Sequence, residues 1–588
     1  MSDKYGEHFI DWLVEDGYTT CFFVAGGNTM HLLAAARSRM KCVPVVHEVT
    51  AAIAAEYFNE HSKSERAFAL VTAGPGLTNA ITGIAGAWLE SRELLVVGGQ
   101  VKSTDLASPS MRQRGIQEIK GVELVSSITK ASILIDKPLE RQTIHDLCEL
   151  SREPRKGPVF LEICLDVQGA PYDPSTNQLV RTIKKLPSAT EVQVLDLSER
   201  ISNAKKPIIL LGGGLDRAAT WALRDQLNDL KVPIMTSWNG ADRFGSDNDM
   251  WFGRPDTWGM RYSNLLIQQS DLVVSFGARL SMQQTGFNWQ EFVPHGEVVQ
   301  IDIDESETSK GHPKVDLVLN VDADDLLRRI VKHAKGDCDS WIEHCKYVGN
   351  ELPLDDPLNE TGNGFISPYQ FVLQLSSICE SNTSVIPCSS GGANTVMMQS
   401  FLNKTGQVFF NNKALASMGY GLAGAIGASI ADRSIRTVLV EGDGGFSQNS
   451  QDLATLVAQG LNIKIFIFSN KGYASIRMTQ RNYFGGDYVG CDTETGLGFP
   501  DWEKLANAYG VKYSRISTEN LKTFNREPEW LQPGPVLYLI DTDPEQTYFP
   551  KIASRVAANG GMESAPLHSM SPELPPEVFN RLYLNQSL

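Results

Sequence analysis

Residues 437–477 read TVLVEGDGGFSQNSQDLATLVAQGLNIKIFIFSNKGYASIR, and this stretch decides the fold. One apolar run begins at Thr437 and leads into a Gly-Asp-Gly triplet centred on Asp443. A helical pattern follows, and a second apolar run, from Ile463, ends at Asn470. The order strand, turn, helix, strand, turn predicts a βαβ unit with both polar residues at one edge of a parallel sheet.

The two strand ends together predict a site for a metal ion and a phosphorylated ligand. A carboxylate and an amide oxygen suit Mg²⁺, but two protein oxygens cannot fill an octahedron, so phosphate oxygens are expected to complete it. Gly442, Gly444 and Gly445 would let backbone N–H groups approach a phosphate. Each triplet alone is an ordinary turn signal, and most such turns bind nothing. The pair at adjacent strand ends favours a metal-held diphosphate.

Composition excludes several classes of protein. A chain of 588 residues predicts three or four domains, and a net charge of −16 argues against nucleic acid and anionic membranes as partners. No apolar run is long enough for a membrane span, and the N-terminus does not resemble a secretory signal. The nine cysteines are dispersed with no CxxC pair, which is typical of reduced thiols and predicts a cytoplasmic location.

The pattern of apolar runs and helices predicts an α/β fold with three doubly wound parallel-sheet domains. Polar, proline-containing stretches at 170–188 and 335–367 are interpreted as linkers. We therefore predict domains at 1–170, 188–335 and 365–550, and a tail at 551–588 of the kind that can close over a site. The predicted strands are 22–25, 43–46, 68–71, 94–97, 159–163, 207–211, 272–276, 298–303, 437–440, 463–468 and 536–540.

A second group of candidate residues lies in the N-terminal third. Glu48 follows a predicted strand and opens a helix, where an acidic residue often does no more than complement the helix dipole. The next strand runs into a glycine-rich loop, Thr72 to Asn79, whose backbone could lie close to a flat ring. The proximity of these two features makes a binding role for Glu48 competitive with the structural one.

The stretches HEVTAAIAAEYFN and TAGPGLTNAITGIAGAWLE, with the Gly-Asp-Gly and Asn pair, resemble thiamine diphosphate-dependent enzymes of the acetolactate synthase type. The order of a pyrimidine-binding, a middle and a diphosphate-binding domain also matches, so the resemblance covers nearly the whole chain. It implies that Asp443, Asn470 and the carbonyl of Gly472 hold Mg²⁺. It implies further contacts with the cofactor from Gly26, Gly27, Thr72, Gly74, Pro75, Gly76, Asn79, Met418, Gly442, Gly444, Gly445, Tyr473 and Ala474.

The resemblance also implies a mechanism. Glu48 would contact N1′ of the aminopyrimidine, and Met418 would support the bent cofactor, although core packing is the alternative for Met418. The cofactor supplies the electron sink for decarboxylation of a 2-keto acid, most simply pyruvate. Related decarboxylases place a histidine pair at the reacting centre, but none of the ten histidines here are adjacent, which favours transfer of the two-carbon unit to a ketone.

The acceptor is the open question. Candidate residues on that side of the site are His31, Gln117, Tyr473, Ser475, Arg477 and Gln480. Of these we predict catalytic roles for Gln117 and Arg477, besides Glu48 and Met418, with a solvated surface arginine as the alternative for Arg477. The chain departs from acetolactate synthases at 387–392, PCSSGG, and in the ASIRMTQ segment. A keto-sugar nucleotide acceptor and a non-ligating decarboxylase therefore stay as alternatives.

The resemblance extends to the middle third and to assembly. The segments at 212–214, 259–261, 277–286 and 300–306 resemble flavin-binding segments, so FAD is predicted there, with a spacer domain as the alternative. In that family each active site lies between two chains. We therefore expect a homodimer or a homotetramer.

Overall fold

The structure, a computed structural model, describes residues 4–62, 64–172, 185–556 and 561–584. It confirms the predicted fold class, because the chain forms three all-parallel sheets with helices packed on them. In the described part, no helix combines the length and the apolar character that crossing a membrane requires. The nine cysteines all lie in this part, and none forms a disulfide.

The N-terminal sheet has six strands in the order β2-β1-β3-β4-β6-β5. Glu48 and Thr72 follow β2 and β3, which lie on either side of β1. The strands are β1 Tyr18–Phe23, β2 Lys41–Pro44, β3 Arg66–Val71, β4 Leu94–Gln100, β5 Ala131–Ile135 and β6 Pro158–Cys164. The helices are α1 Tyr5–Glu15, α2 Met30–Ala36, α3 Glu48–His61, α4 Pro75–Glu90, α5 Gly121–Val125, α6 Arg141–Arg152 and α7 Leu165–Gly169.

The middle sheet has five strands in the order β11-β10-β9-β7-β8. The strands are β7 Pro207–Leu211, β8 Ile234–Thr236, β9 Leu272–Phe276, β10 Glu297–Ile301 and β11 Leu317–Leu319. The helices are α8 Glu191–Asn203, α9 Arg217–Ala222, α10 Arg224–Asp229, α11 Arg261–Gln269, α12 Met282–Thr285, α13 Glu305–Thr308, α14 Ala323–His333 and α15 Asp339–Glu351.

The C-terminal sheet has six strands in the order β13-β12-β14-β15-β17-β16. The strands are β12 Ser384–Ile386, β13 Val408–Phe409, β14 Thr437–Gly442, β15 Ile463–Ser469, β16 Lys512–Ile516 and β17 Val536–Asp541. The helices are α16 Pro368–Ile378, α17 Gly391–Ser400, α18 Tyr420–Ala431, α19 Asp443–Ser447, α20 Leu453–Ala458, α21 Ala474–Tyr483, α22 Trp502–Tyr509 and α23 Pro528–Leu531. As predicted, β14 and β15 are parallel neighbours.

The C-terminal segment returns to the middle sheet unit. Strand β18 Lys551–Ile552 pairs with β21 Met570–Ser571, and β19 Ser554–Val556 with β20 Met562–Ser564, before helix α24 Pro576–Leu582. Arg261 on α11 donates to the carbonyl of Pro572 at 2.8 Å. Leu567 and Leu582 are fully buried in the core of the middle unit. The described part of the tail thus packs on this unit, and its role as a lid stays a prediction.

The N- and C-terminal sheets are joined within one chain by α3 and α18. The two helices touch through small residues, because a Cβ at Gly427 would lie 2.2 Å from the carbonyl oxygen of Ala54. Thr50 on α3 donates to the Asp452 carboxylate at 2.6 Å. One hydrophobic cluster therefore runs from the N-terminal strands into the C-terminal ones.

The predicted strands overlap observed strands, and the strands that were missed are mostly short. The strand predicted at 22–25 begins four residues earlier, at Tyr18. Six strands of the three sheets were not predicted, namely β5, β8, β11, β12, β13 and β16, and four of these have only two or three residues. Most of the predicted linker at 170–188 lies outside the described residues. The linker predicted at 335–367 is wrong in part, because α15 lies within it and packs into the core of the middle unit. The domain bounds stay predictions.

Candidate active site

Asp443 is the centre of the site at the edge of the C-terminal sheet. Its side chain is buried, and Oδ1 accepts the backbone N–H of Gly444 at 2.7 Å. Oδ2 accepts the N–H groups of Asn470 at 3.0 Å and Lys471 at 2.7 Å. Burial raises the pKa of Asp443 to about 7, and these backbone donors offset part of the rise. A cation placed against this carboxylate would relieve the cost of its burial.

The residues around Asp443 fit a divalent cation that also holds a diphosphate. Oδ1 of Asn470 is buried and has no hydrogen-bond partner, as expected of an oxygen that awaits a ligand. In the part of the chain that the structure covers, no group of three or more His, Cys, Asp or Glu side chains could hold a metal ion. An ion at Asp443 and Asn470 would therefore need oxygens from outside the protein, and phosphate supplies them.

The glycines of this turn are required by close contacts. A Cβ at Gly444 would lie 2.3 Å from the ring of Tyr473, and one at Gly445 would lie 2.4 Å from Oε1 of Glu441. A Cβ at Gly472 would meet the carbonyl of Cys491 at 2.3 Å. Gly442 faces open space, so the loop is packed on its inner side and accessible at Gly442.

Glu48 and the glycine-rich loop form a second group at the N-terminal sheet. Glu48 is the first residue of α3, is 8% exposed, and accepts a hydrogen bond from Asn79 Nδ2 at 2.9 Å. Thr72 is buried, and its hydroxyl has no partner. Gly26 lies against Thr72, since a Cβ at Gly26 would be 2.4 Å from Thr72 Cβ, whereas Gly27 faces open space.

The loop that begins α4 requires a glycine at Gly74, because the backbone of Gln117 lies against it. Gly74 has φ +65°, and a Cβ there would lie 2.3 Å from the carbonyl oxygen of Gln117. Pro75 follows at the first position of α4, where its fixed φ suits the helix start. Gly76 packs on the methyl group of Thr72. The structure thus brings Gln117 to the predicted pyrimidine loop.

Residues with strained backbone conformations are frequent in the loops around Asp443 and around Glu48. Eight non-glycine residues of the described chain have positive φ. Four of them lie in these loops: Gln117, Cys388, Ala416 and Lys471. Such conformations persist only where the surroundings impose them, and they are typical of functional sites. Lys471 at φ 57° shows the effect directly, since its N–H binds Asp443.

Met418, which was predicted to support the bent cofactor, is partly exposed, and its Sδ accepts a hydrogen bond from the Gln448 amide at 3.8 Å. It is therefore not a core residue of this chain.

The predicted acceptor residues lie in separate local environments. Gln480 exchanges two hydrogen bonds with the backbone of Val489, both at 3.0 Å. His31 lies beside Gly169 in the N-terminal unit, and Ser475 lies on α21.

Arg477 is a paired residue, so the alternative of a solvated surface arginine is wrong. Its guanidinium donates to Asp492 Oδ2 at 2.9 Å and lies 3.5 Å from Glu545, with the ring of Tyr488 beneath it. The side chains of Arg477 and Asp492 are 15% and 3% exposed. This pair fixes the loop after α21, and a role in binding the acceptor stays a prediction.

The segments predicted to bind flavin lie at one edge of the middle sheet. A Cβ at Gly212 would meet the carbonyl of Gly277 at 2.2 Å, so these glycines serve the contact between two loops. Asp304 and Glu307 pair with Arg155 of the N-terminal unit at 2.9 and 2.8 Å. These contacts explain Gly212, Gly277 and Asp304 without a nucleotide, and FAD stays a prediction.

The fold has three parallel sheets, with a carboxylate and an amide at adjacent strand ends of the C-terminal sheet and a second group of candidate residues on the N-terminal sheet. These features define a cofactor-binding enzyme in which a middle domain separates two binding domains along the chain. Three models of thiamine pyrophosphate enzymes match the chain in the same order. They are the N-terminal TPP binding domain at 3–124, the central domain at 194–330 and the C-terminal TPP binding domain at 390–538. The chain belongs to the thiamine pyrophosphate (thiamine diphosphate) enzyme family.

Curated relatives agree with this family. The probable acetolactate synthase large subunit of Methanocaldococcus jannaschii is 29% identical, and the match covers 85% of each chain. The acetolactate synthase large subunit of Cyanidium caldarium is 26% identical, with 87% of each chain covered. Acetolactate synthase 1, chloroplastic, of Nicotiana tabacum is 25% identical, with 94% of this chain and 83% of the relative covered. The protein is thus similar to acetolactate synthases over most of its length.

Proposed function

We propose that this protein is a thiamine diphosphate-dependent carboligase that decarboxylates pyruvate and transfers the two-carbon unit to a ketone acceptor. The observation that carries the proposal is the buried pair at adjacent strand ends, Asp443 with its backbone donors and Asn470 with an unpaired Oδ1. The relatives described above are acetolactate synthases. They do not favour a keto-sugar nucleotide acceptor or a non-ligating decarboxylase.

Each residue of the site then has a distinct task. Asp443, Asn470 and the carbonyl of Gly472 would hold Mg²⁺, and the ion would bind the diphosphate of the cofactor. Thiamine diphosphate supplies the electron sink for decarboxylation when it is bound. Glu48 would hold a proton at N1′ of the aminopyrimidine, with Asn79 fixing its carboxylate. Met418 would support the bend of the cofactor from its partly exposed position.

The active site is proposed to lie between two chains of a homodimer or homotetramer. Within one chain the carboxylate of Glu48 bonds to Asn79 of its own sheet unit. Exposed apolar side chains flank both halves of the site: Val46 and Ile116 beside the pyrimidine half, Phe484 and Val489 beyond the diphosphate half. A second copy that brings one half against the other would cover both sets.

Mixing two inactive variants tests the shared site. In a mixed dimer of Glu48→Gln and Asp443→Asn chains, a shared arrangement leaves one site with both wild-type residues. A site within one chain always keeps one substitution. Coexpression or unfolding and refolding of the mixture should therefore restore up to about a quarter of wild-type activity, since half the dimers are mixed. No recovery, with mixed dimers shown by mass spectrometry, would reject the shared site.

The acceptor is tested by product analysis. Pyruvate alone, and pyruvate with 2-ketobutyrate or a keto-sugar nucleotide, would be incubated with the enzyme, Mg²⁺ and thiamine diphosphate, and the products identified by mass. Acetolactate or acetohydroxybutyrate supports ligation to a keto acid. Acetaldehyde or acetate as the sole product would reject ligation. An acetylated sugar nucleotide would move the acceptor to the alternative class.

FAD in the middle domain and a cytoplasmic location remain parts of this proposal. The loops after β7, β9 and β10 lie at the carboxyl ends of parallel strands, where nucleotides bind in this kind of sheet. Purified protein should then show flavin absorbance, and release of the pigment on denaturation would identify it. Colourless protein, active with Mg²⁺ and thiamine diphosphate alone, would reject FAD. The location is supported by the nine dispersed free cysteines.

A further inference from the structure

The segment 491–492, which follows α21, covers the second loop of the metal site. Gly472 and Asp492 form an isolated antiparallel bridge, and the N–H of Tyr473 donates to the carbonyl of Cys491 at 2.8 Å. A Cβ at Gly472 would lie 2.3 Å from that carbonyl oxygen and 3.2 Å from the Cα of Asp492. The backbone of this segment therefore lies directly against Gly472.

This pairing leaves the carbonyl of Gly472 free for a ligand. Gly472 and Asp492 are the non-hydrogen-bonded pair of the bridge, because the bond runs between their neighbours, Tyr473 and Cys491. The N–H and C=O groups of such a pair point away from the opposite segment. Among the residues that the structure describes, no N–H group donates to the Gly472 carbonyl. It is the oxygen proposed above as the third protein ligand of Mg²⁺.

The side chain of Asp492 fixes the covering segment. Its Oδ1 accepts the backbone N–H of Thr495 at 2.9 Å and the Thr495 hydroxyl at 2.8 Å. Its Oδ2 accepts a hydrogen bond from Arg477 Nη2 at 2.9 Å. Oγ1 of Thr495 in turn accepts the N–H groups of Cys491 and Asp492 at 3.0 and 3.1 Å. The segment 491–495 is thus closed into a turn and tied to α21.

Burial makes this arrangement depend on every partner. The Asp492 carboxylate is buried, and the Arg477 side chain is largely so. When a buried ion pair loses one partner, the remaining charge is left uncompensated, so the chain around it has to move or admit water. The three heavy atoms nearest to a Cβ at Gly472 all belong to Cys491 and Asp492. A shift of the segment would therefore be felt first at Gly472.

We infer that Asp492 is a positioning residue of the metal site, which holds the Gly472 carbonyl in place by fixing the segment that lies against it. Arg477 and Thr495 contribute by binding its carboxylate. The inference rests on the proposed function, because it assumes that Gly472 binds Mg²⁺. The competing account is a purely structural role, in which the ion pair stabilises the fold and leaves the metal site unchanged.

The matched comparison is Asp492→Asn against Asp242→Asn. Asp242 is also buried, pairs with Arg217 at 2.7 Å and accepts a backbone N–H, that of Phe409 at 3.0 Å. Phe409 lies on β13, two strands away from β14 in the sheet. The readout is the Mg²⁺ concentration at which half of the protein binds thiamine diphosphate, measured by fluorescence quenching at a fixed cofactor concentration, which requires no turnover.

Asp492→Asn should raise this half-saturating Mg²⁺ concentration about ten-fold or more, the range seen when residues that orient metal ligands are removed. Asp242→Asn should lower the melting temperature and leave the Mg²⁺ dependence as in wild type. An unchanged Mg²⁺ dependence in Asp492→Asn, or an equal rise in both variants, would overturn the inference. Wild-type protein that binds no thiamine diphosphate at any Mg²⁺ concentration would instead reject the proposed function.

Arg477→Met tests whether the guanidinium acts through Asp492 or on the acceptor. Acting through Asp492, the substitution should also raise the half-saturating Mg²⁺ concentration. Adding it to Asp492→Asn should change this concentration by less than about two-fold, because the pair is already broken. A higher KM for the acceptor with unchanged Mg²⁺ dependence would show that Arg477 binds the acceptor and would contradict the inference.

Thr495→Val keeps the test available if Asp492→Asn does not fold. It removes only the hydroxyl that binds the N–H groups of Cys491 and Asp492. The half-saturating Mg²⁺ concentration should rise, by a smaller factor than in Asp492→Asn. Thr523→Val is the control, because the Thr523 hydroxyl binds only the carbonyl of Asn520, at 3.4 Å. The same Mg²⁺ dependence in both threonine variants would count against the inference.

Discussion

Asp443 and Lys471 lie on two different strand ends, yet the carboxylate of Asp443 accepts the backbone N–H of Lys471 at 2.7 Å. Lys471 reaches this position with a positive φ of 57°, a backbone conformation that residues other than glycine rarely adopt. The carboxylate therefore shapes the second loop of the site before any metal is bound. Both the fold of this loop and the proposed metal binding depend on one side chain.

Asp443→Asn should abolish the stabilisation of the protein by Mg²⁺ and thiamine diphosphate. The amide has one oxygen instead of a charged pair, and its NH₂ group faces the N–H donors of Asn470 and Lys471. The free energy of unfolding of the wild-type protein should rise by about 2.7 kcal/mol when the ligand is present at a hundred times its Kd. Thermal melts with and without ligands measure the difference. Asp487→Asn, an exposed carboxylate of the same unit, should retain the full gain.

Glu48→Gln should lower pyruvate turnover by at least about 100-fold, because an amide cannot exchange the proton that a general acid–base group transfers. The fold should be unaffected, since glutamine can still accept the hydrogen bond from Asn79. Release of CO₂ measures turnover, and fluorescence quenching measures cofactor binding, which should persist. Glu123→Gln is the control, because that side chain is 74% exposed. Normal turnover in Glu48→Gln would remove this residue from the mechanism.

Lys464→Met should lower the free energy of unfolding by about 3 kcal/mol, because three partly buried carbonyls would lose a charged donor. Lys464 lies inside β15, and its ammonium donates to Glu529, Gln532 and Gly534 at 2.8, 2.8 and 2.9 Å. Urea unfolding measures the change. Lys512→Met on exposed β16 should be nearly neutral. Equal effects of the two substitutions would show that the three hydrogen bonds contribute little.

Glu162→Gln should change how stability depends on pH. Burial raises the pKa of Glu162 from 4.5 to about 7, with the neighbouring Glu118 acting in the same direction. The folded protein therefore keeps a proton that the unfolded chain releases above pH 4.5. Wild-type stability should fall as pH rises through this window, by up to about 1.4 kcal/mol per unit.

The substitution removes that contribution to the pH dependence. Unfolding free energies of wild type and Glu162→Gln, measured from pH 4.5 to 8, should diverge with the wild type losing more. Glu123→Gln, which changes an exposed carboxylate, should run parallel to wild type. A constant difference between wild type and Glu162→Gln across this range would mean that Glu162 is ionised in the folded protein.

The sequence predicts those parts of the site that depend on local order. The apolar runs of β14 and β15 are long, so the meeting of Asp443 and Asn470 follows from the rules for parallel strands. Glu48 and the loop at Gly74 were predicted in the same way. Gln117 was named as a catalytic candidate from the resemblance alone, and its approach to Gly74 was not predicted, because no pattern in the residues themselves indicates it.

Tertiary contacts explain what the sequence did not predict. Arg477 was expected to face an acceptor or solvent, but Asp492 binds it from a loop whose position no periodicity reveals. The backbone bond from Thr542 to Ser469, next to Asn470, was not predicted, because it is known only once β17 is placed beside β15. Lys464 interrupts an apolar strand, and its partners come from a turn far along the chain.

The return of the C-terminal segment to the middle unit has a consequence for biosynthesis. Leu567 and Leu582 complete a core whose other members lie mostly between residues 189 and 352. A ribosome adds about 5–20 residues per second, so this core stays open for tens of seconds after its own strands emerge. Arg261, Gln268 and Gln269 on α11 meanwhile lack their partners from residues 568–583. The middle unit therefore completes its core only after the C-terminal segment has been synthesised, long after its own strands.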